Sequence, residues 1–147
     1  MNLRKLLLVS LVFVAFGCIT SATVSADEWK DGIPDGFSGN WISVKHNRAD
    51  KNNVKYGKYY RTGFTLNKDA VNFNEFYYGS NKKYKSFRPM LGSNPQYKET
   101  NGTYYIKSNF FAQAAIFIFK KNGKMLNVKG LGNFYLFQMV PKTLNAK

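Results

Sequence analysis

Residues 96–108 read QYKETNGTYYIKS, and a similar stretch follows at 114–129, AAIFIFKKNGKMLNVK. In each, an Asn-Gly pair (Asn101-Gly102, then Asn122-Gly123) separates two runs rich in aromatic or β-branched residues. A two-residue type I′ hairpin needs positive φ at both central positions, and Asn-Gly meets that need at low steric cost. The spacing therefore predicts two tight antiparallel hairpins in succession.

Further strand-like runs extend the pattern in both directions. They are expected at residues 41–46, 58–66, 70–78 and 84–91 before this region, and at 133–140 after it. Turns are expected at 67–69 and 79–83, with a chain break at 92–95. Pro89 predicts an edge position or an early end for the run that contains it. The alanines of 112–115 are compatible with helix, but Ile116-Phe117-Ile118-Phe119 favours strand. Phe and Tyr together number 23, and no long segment shows the 3.6-residue apolar period of an amphipathic helix. The fold class expected is all-β: an up-and-down meander of about eight strands. Its open edges are best hidden by closing the sheet into a barrel, with a β-sandwich as the alternative.

The first residues, MNLRKLLLVSLVFVAFGCITSATVSA, have the layout of a secretory signal peptide. Arg4 and Lys5 form the basic start, Leu6 opens the apolar run to Gly17, and Val24-Ser25-Ala26 offers a cleavage site after Ala26. The apolar run is short for a membrane span, so no transmembrane helix is expected in the mature form. Cys18 opens a second possibility, lipidation, because AFGC loosely resembles a lipobox. Residues 27–147 contain no cysteine, which removes disulfides, thiol catalysis and thiolate-bound zinc or iron–sulfur centres. A cysteine-free exported chain of this size suits a Gram-positive source, a secreted or surface-associated location and a single domain over 39–147. Residues 27–38 are expected to form an irregular leader.

The formal charge of +14 is unevenly spread. The leader carries Asp27, Glu28, Asp31 and Asp35 against Lys30, whereas residues 40–147 carry 19 Lys and Arg against Asp50, Asp69, Glu75 and Glu99. Such a surface attracts polyanions. Arginine is confined to Arg48, Arg61 and Arg88 in the mature chain, and bidentate readout of bases favours arginine. Cell-wall polyanions or anionic lipid headgroups are the expected partners, and nucleic acid is not expected. The run at 81–88, NKKYKSFR, interleaves Lys82, Lys83, Lys85 and Arg88 with Tyr84 and Phe87. Lys82, Lys83, Tyr84, Lys85 and Arg88 are the candidate ligand-binding residues; a solvated hairpin tip with inward-facing aromatic rings is the alternative.

Catalytic chemistry has little support. His46 is the single histidine, with Asp50 four residues on, and no G-x-S-x-G motif occurs. One histidine and scattered acids give no metal-ligand spacing, so neither a metal nor a cofactor is expected. Glu75 falls on the predicted apolar face with Val71, Phe73 and Tyr77. A carboxyl there needs a partner: a lysine, or Glu99 in a two-carboxylate site of the glycosidase kind.

The segment GFSGNW, residues 36–41, carries a resemblance. Gly39-x-Trp41 at the start of the first strand is similar to the G-x-W signature of lipocalins and their calycin relatives. The resemblance implies a short leader before strand A, a closed barrel, and a tryptophan that closes one end. It also implies a basic residue packed across that ring, here Lys129 or Lys142. The layout further resembles small secreted proteins of lactic-acid bacteria. Physically, Gly39 allows a sharp entry into the strand and Trp41 supplies a large apolar cap. The function expected is non-enzymatic binding of envelope polyanions, of a small apolar ligand in the barrel, or of both, by a monomer. The alternative is a secreted interaction protein, an enzyme inhibitor or immunity-type factor, with 92–95 as a protruding loop.

Overall fold

The computed structural model describes residues 29–146. The expected signal segment, its expected cleavage after Ala26 and Cys18 lie outside the described residues. The strands are β1 (Lys30–Asp31), β2 (Gly39–Ser43), β3 (Asn47–Arg48), β4 (Tyr59–Asn67), β5 (Ala70–Tyr78), β6 (Tyr84–Met90), β7 (Gly92–Thr100), β8 (Thr103–Phe110), β9 (Gln113–Asn122), β10 (Met125–Val128) and β11 (Gly132–Leu136). All pairings are antiparallel. Eight strands run β2-β4-β5-β7-β8-β9-β10-β11 around a closed barrel of lipocalin-like form, and β11 returns to β2 through Phe134↔Ser43 and Leu136↔Trp41. The up-and-down meander is as expected, and the sandwich alternative does not apply.

The central hairpins show what Asn-Gly can and cannot decide. Asn101 (φ 51) and Gly102 (φ 71) are the central residues between Thr100 and Thr103, as predicted. At the second site Asn122 instead pairs with Met125, so the turn is Gly123-Lys124, with positive φ only at Gly123. That is the pattern of a type II′ turn, which wants glycine first.

The expected break and loop at 92–95 is a correction. Residues 84–100 run in one direction, first beside β5 as β6 and then, after Leu91, as β7, which meets β5 at Ser93 and continues along β8. Gly92 is the point of transfer. A Cβ there would sit 2.3 Å from the Val71 carbonyl oxygen and 2.7 Å from Ser108 Oγ, so only glycine lets the strand press this close. Gly92 and Ser93 already pair with Phe110 and Asn109 of β8, and a bulge between Ser93 and Gln96, with Asn94 at φ 50, shifts the register as the strand leaves β5. β6 is left as an outer edge containing Pro89, the location that proline predicts.

Alternating side chains fill the barrel. The Phe64 ring is the hub, with centroids of Phe73, Phe117, Phe119 and Phe134 at 5.3, 5.0, 5.3 and 5.4 Å. Such tilted and edge-on contacts add to the apolar burial of each ring. Phe37 and Trp41 complete the core at the leader end, where Trp41 Nε1 donates to the Phe37 carbonyl at 2.8 Å. A Cβ on Gly39 (φ 137) would meet Leu136 at 2.6 Å, which explains glycine two residues before this tryptophan. The basic residue at this end is neither Lys129 nor Lys142. Lys121 lies 5.9 Å from the Phe37 ring and donates to Gly36 O. Lys129 follows β10, and Lys142 lies against β6. The leader is more ordered than expected: β1 pairs with β7, and Trp29 lies beneath the Lys107 ammonium at 4.6 Å.

A second cluster lies outside the barrel. Ile42, Phe76 and Tyr78 project from the outer face and are covered by Leu144, Phe137 and Val140 of the chain end. Arg61 is buried among them, donating from Nε and Nη2 to Ser43 O and from Nη1 to Ala146 O. Its guanidinium lies 5.2 Å from the Tyr135 ring.

Candidate functional site

The antiparallel topology sorts loops to two ends of the barrel. The leader and the turns 67–69, 101–102 and 123–124 share one end; 44–58, 79–83, 111–112 and 129–131 share the other. This sorting distributes charge unevenly. The leader end mixes Asp31, Asp35, Asp69 and Glu99 with Lys30, Lys68, Lys121 and Lys124, while the opposite loops carry Lys45, Arg48, Lys51, Lys55, Lys58, Lys82, Lys83 and Lys129 against Asp50.

The basic end is organised around β6. The turn before it is tight: Gly79 N donates to Lys83 O, Lys82 N to Gly79 O, and Asn81 Oδ1 accepts from Lys83 N. Lys82 holds φ 61 and, like Lys83, is exposed. On one side the chain end docks, with Tyr84 N donating to Lys142 O, Leu144 N to Lys82 O, and Lys83 bridging Thr143. On the other side the loop 49–58 is pinned. Lys85 Nζ donates to Lys55 O at 3.0 Å, Ser86 Oγ to Tyr56 O at 3.0 Å, and Arg88 Nη1 to Asn53 Oδ1 at 2.7 Å. Lys55, Lys82, Lys83, Lys85 and Lys142 thus converge from three separate segments.

The carboxylates of this end are already engaged. Asp50 accepts from the backbone of Asn52 and Asn53 and from the Asn53 amide. It is therefore not a partner for His46, which is exposed and lies edge-on to Tyr59. Glu75 accepts from the Tyr77 hydroxyl at 2.8 Å and lies 3.6 Å from Arg88. Its position on the Val71, Phe73, Tyr77 face is as expected, but its partner is an arginine rather than a lysine. Glu99 lies across from Tyr104 near the β7–β8 turn, so the two-carboxylate site does not form. Burial first, and then Glu75, push the hydroxyls of Tyr60 and Tyr77 above the ordinary phenol range. Burial works against the charge on Arg88, but the Tyr77 hydroxyl and Glu75 outweigh it and hold the guanidinium above its usual value.

The predicted site therefore divides. Lys82, Lys83 and Tyr84 are exposed; Lys85 is exposed but tethered at its ammonium. Arg88 is a structural clasp, its guanidinium 4.8 Å from the Tyr56 ring. Lys55 and Lys142 were not legible as members, because only the loop and chain-end docking place them here. Of the alternative for this run, the turn is solvated, but Phe87 faces outward. Along the wall formed by β7 and β8 a cleft of about 620 Å³ is lined by Asp31, Lys68, Asp69, Asn94, Lys107 and Asn109; its mixed charge gives a polyanion no preference. Among the described residues no group of His, Cys, Asp and Glu could hold a metal ion, and no helix is long and apolar enough to cross a membrane.

Comparisons with protein families, curated proteins and solved structures found no match.

Proposed function

We propose that this chain is an exported, non-enzymatic barrel that binds phosphate-rich polyanions of the cell envelope through the lysine edge at β6. The observation that carries the reading is the convergence of Lys55, Lys82, Lys83, Lys85 and Lys142, from three segments, with Asp50 and Glu75 already engaged. Lysine ammoniums on flexible stems provide diffuse attraction rather than a bidentate fork, which suits a repeating phosphodiester. The ring-filled barrel centre is the reason to place the ligand outside rather than within. The resemblance to lipocalins extends, on this reading, to the G-x-W entry and the barrel and not to an interior ligand.

The test is binding of the purified protein to cell walls with and without teichoic acid, at low and high salt. Binding that requires the polymer, weakens steeply with salt and falls in a Lys82→Gln, Lys83→Gln, Lys142→Gln variant supports the reading. Binding equal on both wall preparations, or unchanged in that variant, refutes it.

A further inference from the structure

The lysine edge has an apolar neighbour that a soluble polymer would not use. Tyr84 and Phe87 project from the outer face of β6. Tyr84 stands edge-on to Tyr78, and Phe87 stacks on Phe76 at 6.3 Å. Phe87 nevertheless remains 53% exposed and Tyr84 37%. The covering chain end packs Phe137 on the same Phe76 ring, and Met139, two residues on, is 80% exposed. Isolated surface hydrophobics call for no explanation, but several held together beside a like-charged rim mark an interaction face. Edge strands usually carry charge to discourage contact; this one exposes Tyr84 and Phe87 on either side of Lys85.

Resting on the polyanion reading above, we infer that the partner is an anionic lipid bilayer met by the β6 edge. Lys82, Lys83 and Lys142 lie among the phosphates, while Phe87 and Met139 enter the headgroup–acyl boundary. Lysine stems suit this arrangement because their methylenes follow apolar surface while the ammonium stays at the phosphates. Tyr84 has the amphipathic character favoured at that depth. The turn is held by hydrogen bonds on both sides, so little ordering is required on contact.

The test uses vesicles of phosphatidylcholine alone or mixed with phosphatidylglycerol, with soluble teichoic acid as the lipid-free polyanion. A Phe87→Trp variant reports depth through quenching by bromine-labelled lipid. The expected result is sedimentation only with phosphatidylglycerol vesicles, and quenching of Trp fluorescence there. Each lysine changed to glutamine weakens vesicle binding about fivefold, the equivalent of roughly 1 kcal/mol per basic residue near an anionic surface. Phe87→Ser weakens vesicle binding about tenfold, for a partly inserted ring, and leaves teichoic acid binding unchanged. Circular dichroism verifies that each variant is folded. Wild-type vesicle affinity in Phe87→Ser, or an unquenched Phe87→Trp variant, overturns the bilayer proposal while leaving the polyanion reading intact. Loss of teichoic acid and vesicle binding together, even at low salt, removes both.

Discussion

Arg88 faces Glu75 across the β5–β6 ladder, its Nη1 3.6 Å from the carboxylate and 2.7 Å from Asn53 Oδ1 in the loop 49–58. One guanidinium therefore ties two strands and the loop that carries Lys51 and Lys55. Tyr77 donates to the same carboxylate, so the cluster is a small polar network on the sheet face continuous with the core. A partly buried carboxylate left without its cation bears an unoffset desolvation cost.

Arg88→Met is accordingly expected to destabilise by about 1–2 kcal/mol, a figure reduced for the partial exposure of the pair. Arg88→Met combined with Glu75→Gln should recover part of the loss. Urea denaturation of the three variants checks the coupling; strict additivity would mean that the pair contributes nothing. Limited trypsin digestion should also cut Arg88→Met sooner at Lys51 and Lys55, because the Asn53 tether is gone.

Gly92 is the most closely approached of the described glycines. Gly92→Ala places a methyl against the Val71 carbonyl and Ser108, and should destabilise by about 2–3 kcal/mol, in the upper range for an overpacked core. Gly102→Ala serves as the comparison. It meets open space and bears only the strain of φ +71, about 1 kcal/mol. Equal losses of midpoint in urea would contradict the strand-transfer role.

Burial pushes the Tyr78 phenol up to about 12, with Arg61 opposing the rise. A phenol whose folded-state value is raised holds its proton while the unfolded chain, near 10, begins to lose it. Its stabilising contribution is present below pH 10 and is lost as pH rises from about 10 to 12. Thermal melts over that window should fall more steeply for the wild type than for Tyr78→Phe. Parallel pH profiles would show that the Tyr78 phenol titrates alike in the folded and unfolded chain, and that burial does not raise it.

The outer cluster depends on the chain end. Leu144 is buried against Ile42, Phe76 and Tyr78, so Leu144→Ala should cost about 2–3 kcal/mol and increase binding of an apolar dye. Arg61→Lys should release the same segment, because an ammonium cannot reproduce the planar fork that reaches Ser43 and Ala146 at once. Hydrogen exchange of the Leu144 amide, which donates to Lys82 O, reports both effects. Unchanged protection in Arg61→Lys would show that the fork does not hold the tail.

Much of this architecture was legible in the residues. Alternation in 70–78 and the Asn101-Gly102 pair predict strands and a turn where they occur, because both signals are local. Gly39 and Trp41 mark the entry of β2 for the same reason. What escaped depends on distant neighbours. Gly92 reads as a break, since glycine before Ser-Asn-Pro usually ends a strand; only the approach of Val71 and Ser108 shows that it continues one. Arg61 reads as one more surface charge, yet the chain end 85 residues later buries it. Arg88 reads as a free cation beside Lys85 until Glu75 and Asn53 are placed around it. The edge lysines were partly visible as a run, but their companions Lys55 and Lys142 arrive through docking that no local pattern encodes.

The seam between β2 and β11 joins Ser43 to Phe134 and Trp41 to Leu136. A chain emerging from its N-terminus holds β2 unmatched on that side until nearly everything else has been made. The last partner to arrive also brings the segment that covers Ile42 and Tyr78 from outside. Loop closure over such separations is slow to initiate, so hairpins such as β8–β9 can form early while closure waits for the final strand. The folding rate should therefore be governed by one late encounter, and a chain cut short before residue 132 would be left as an open sheet with two unsatisfied borders.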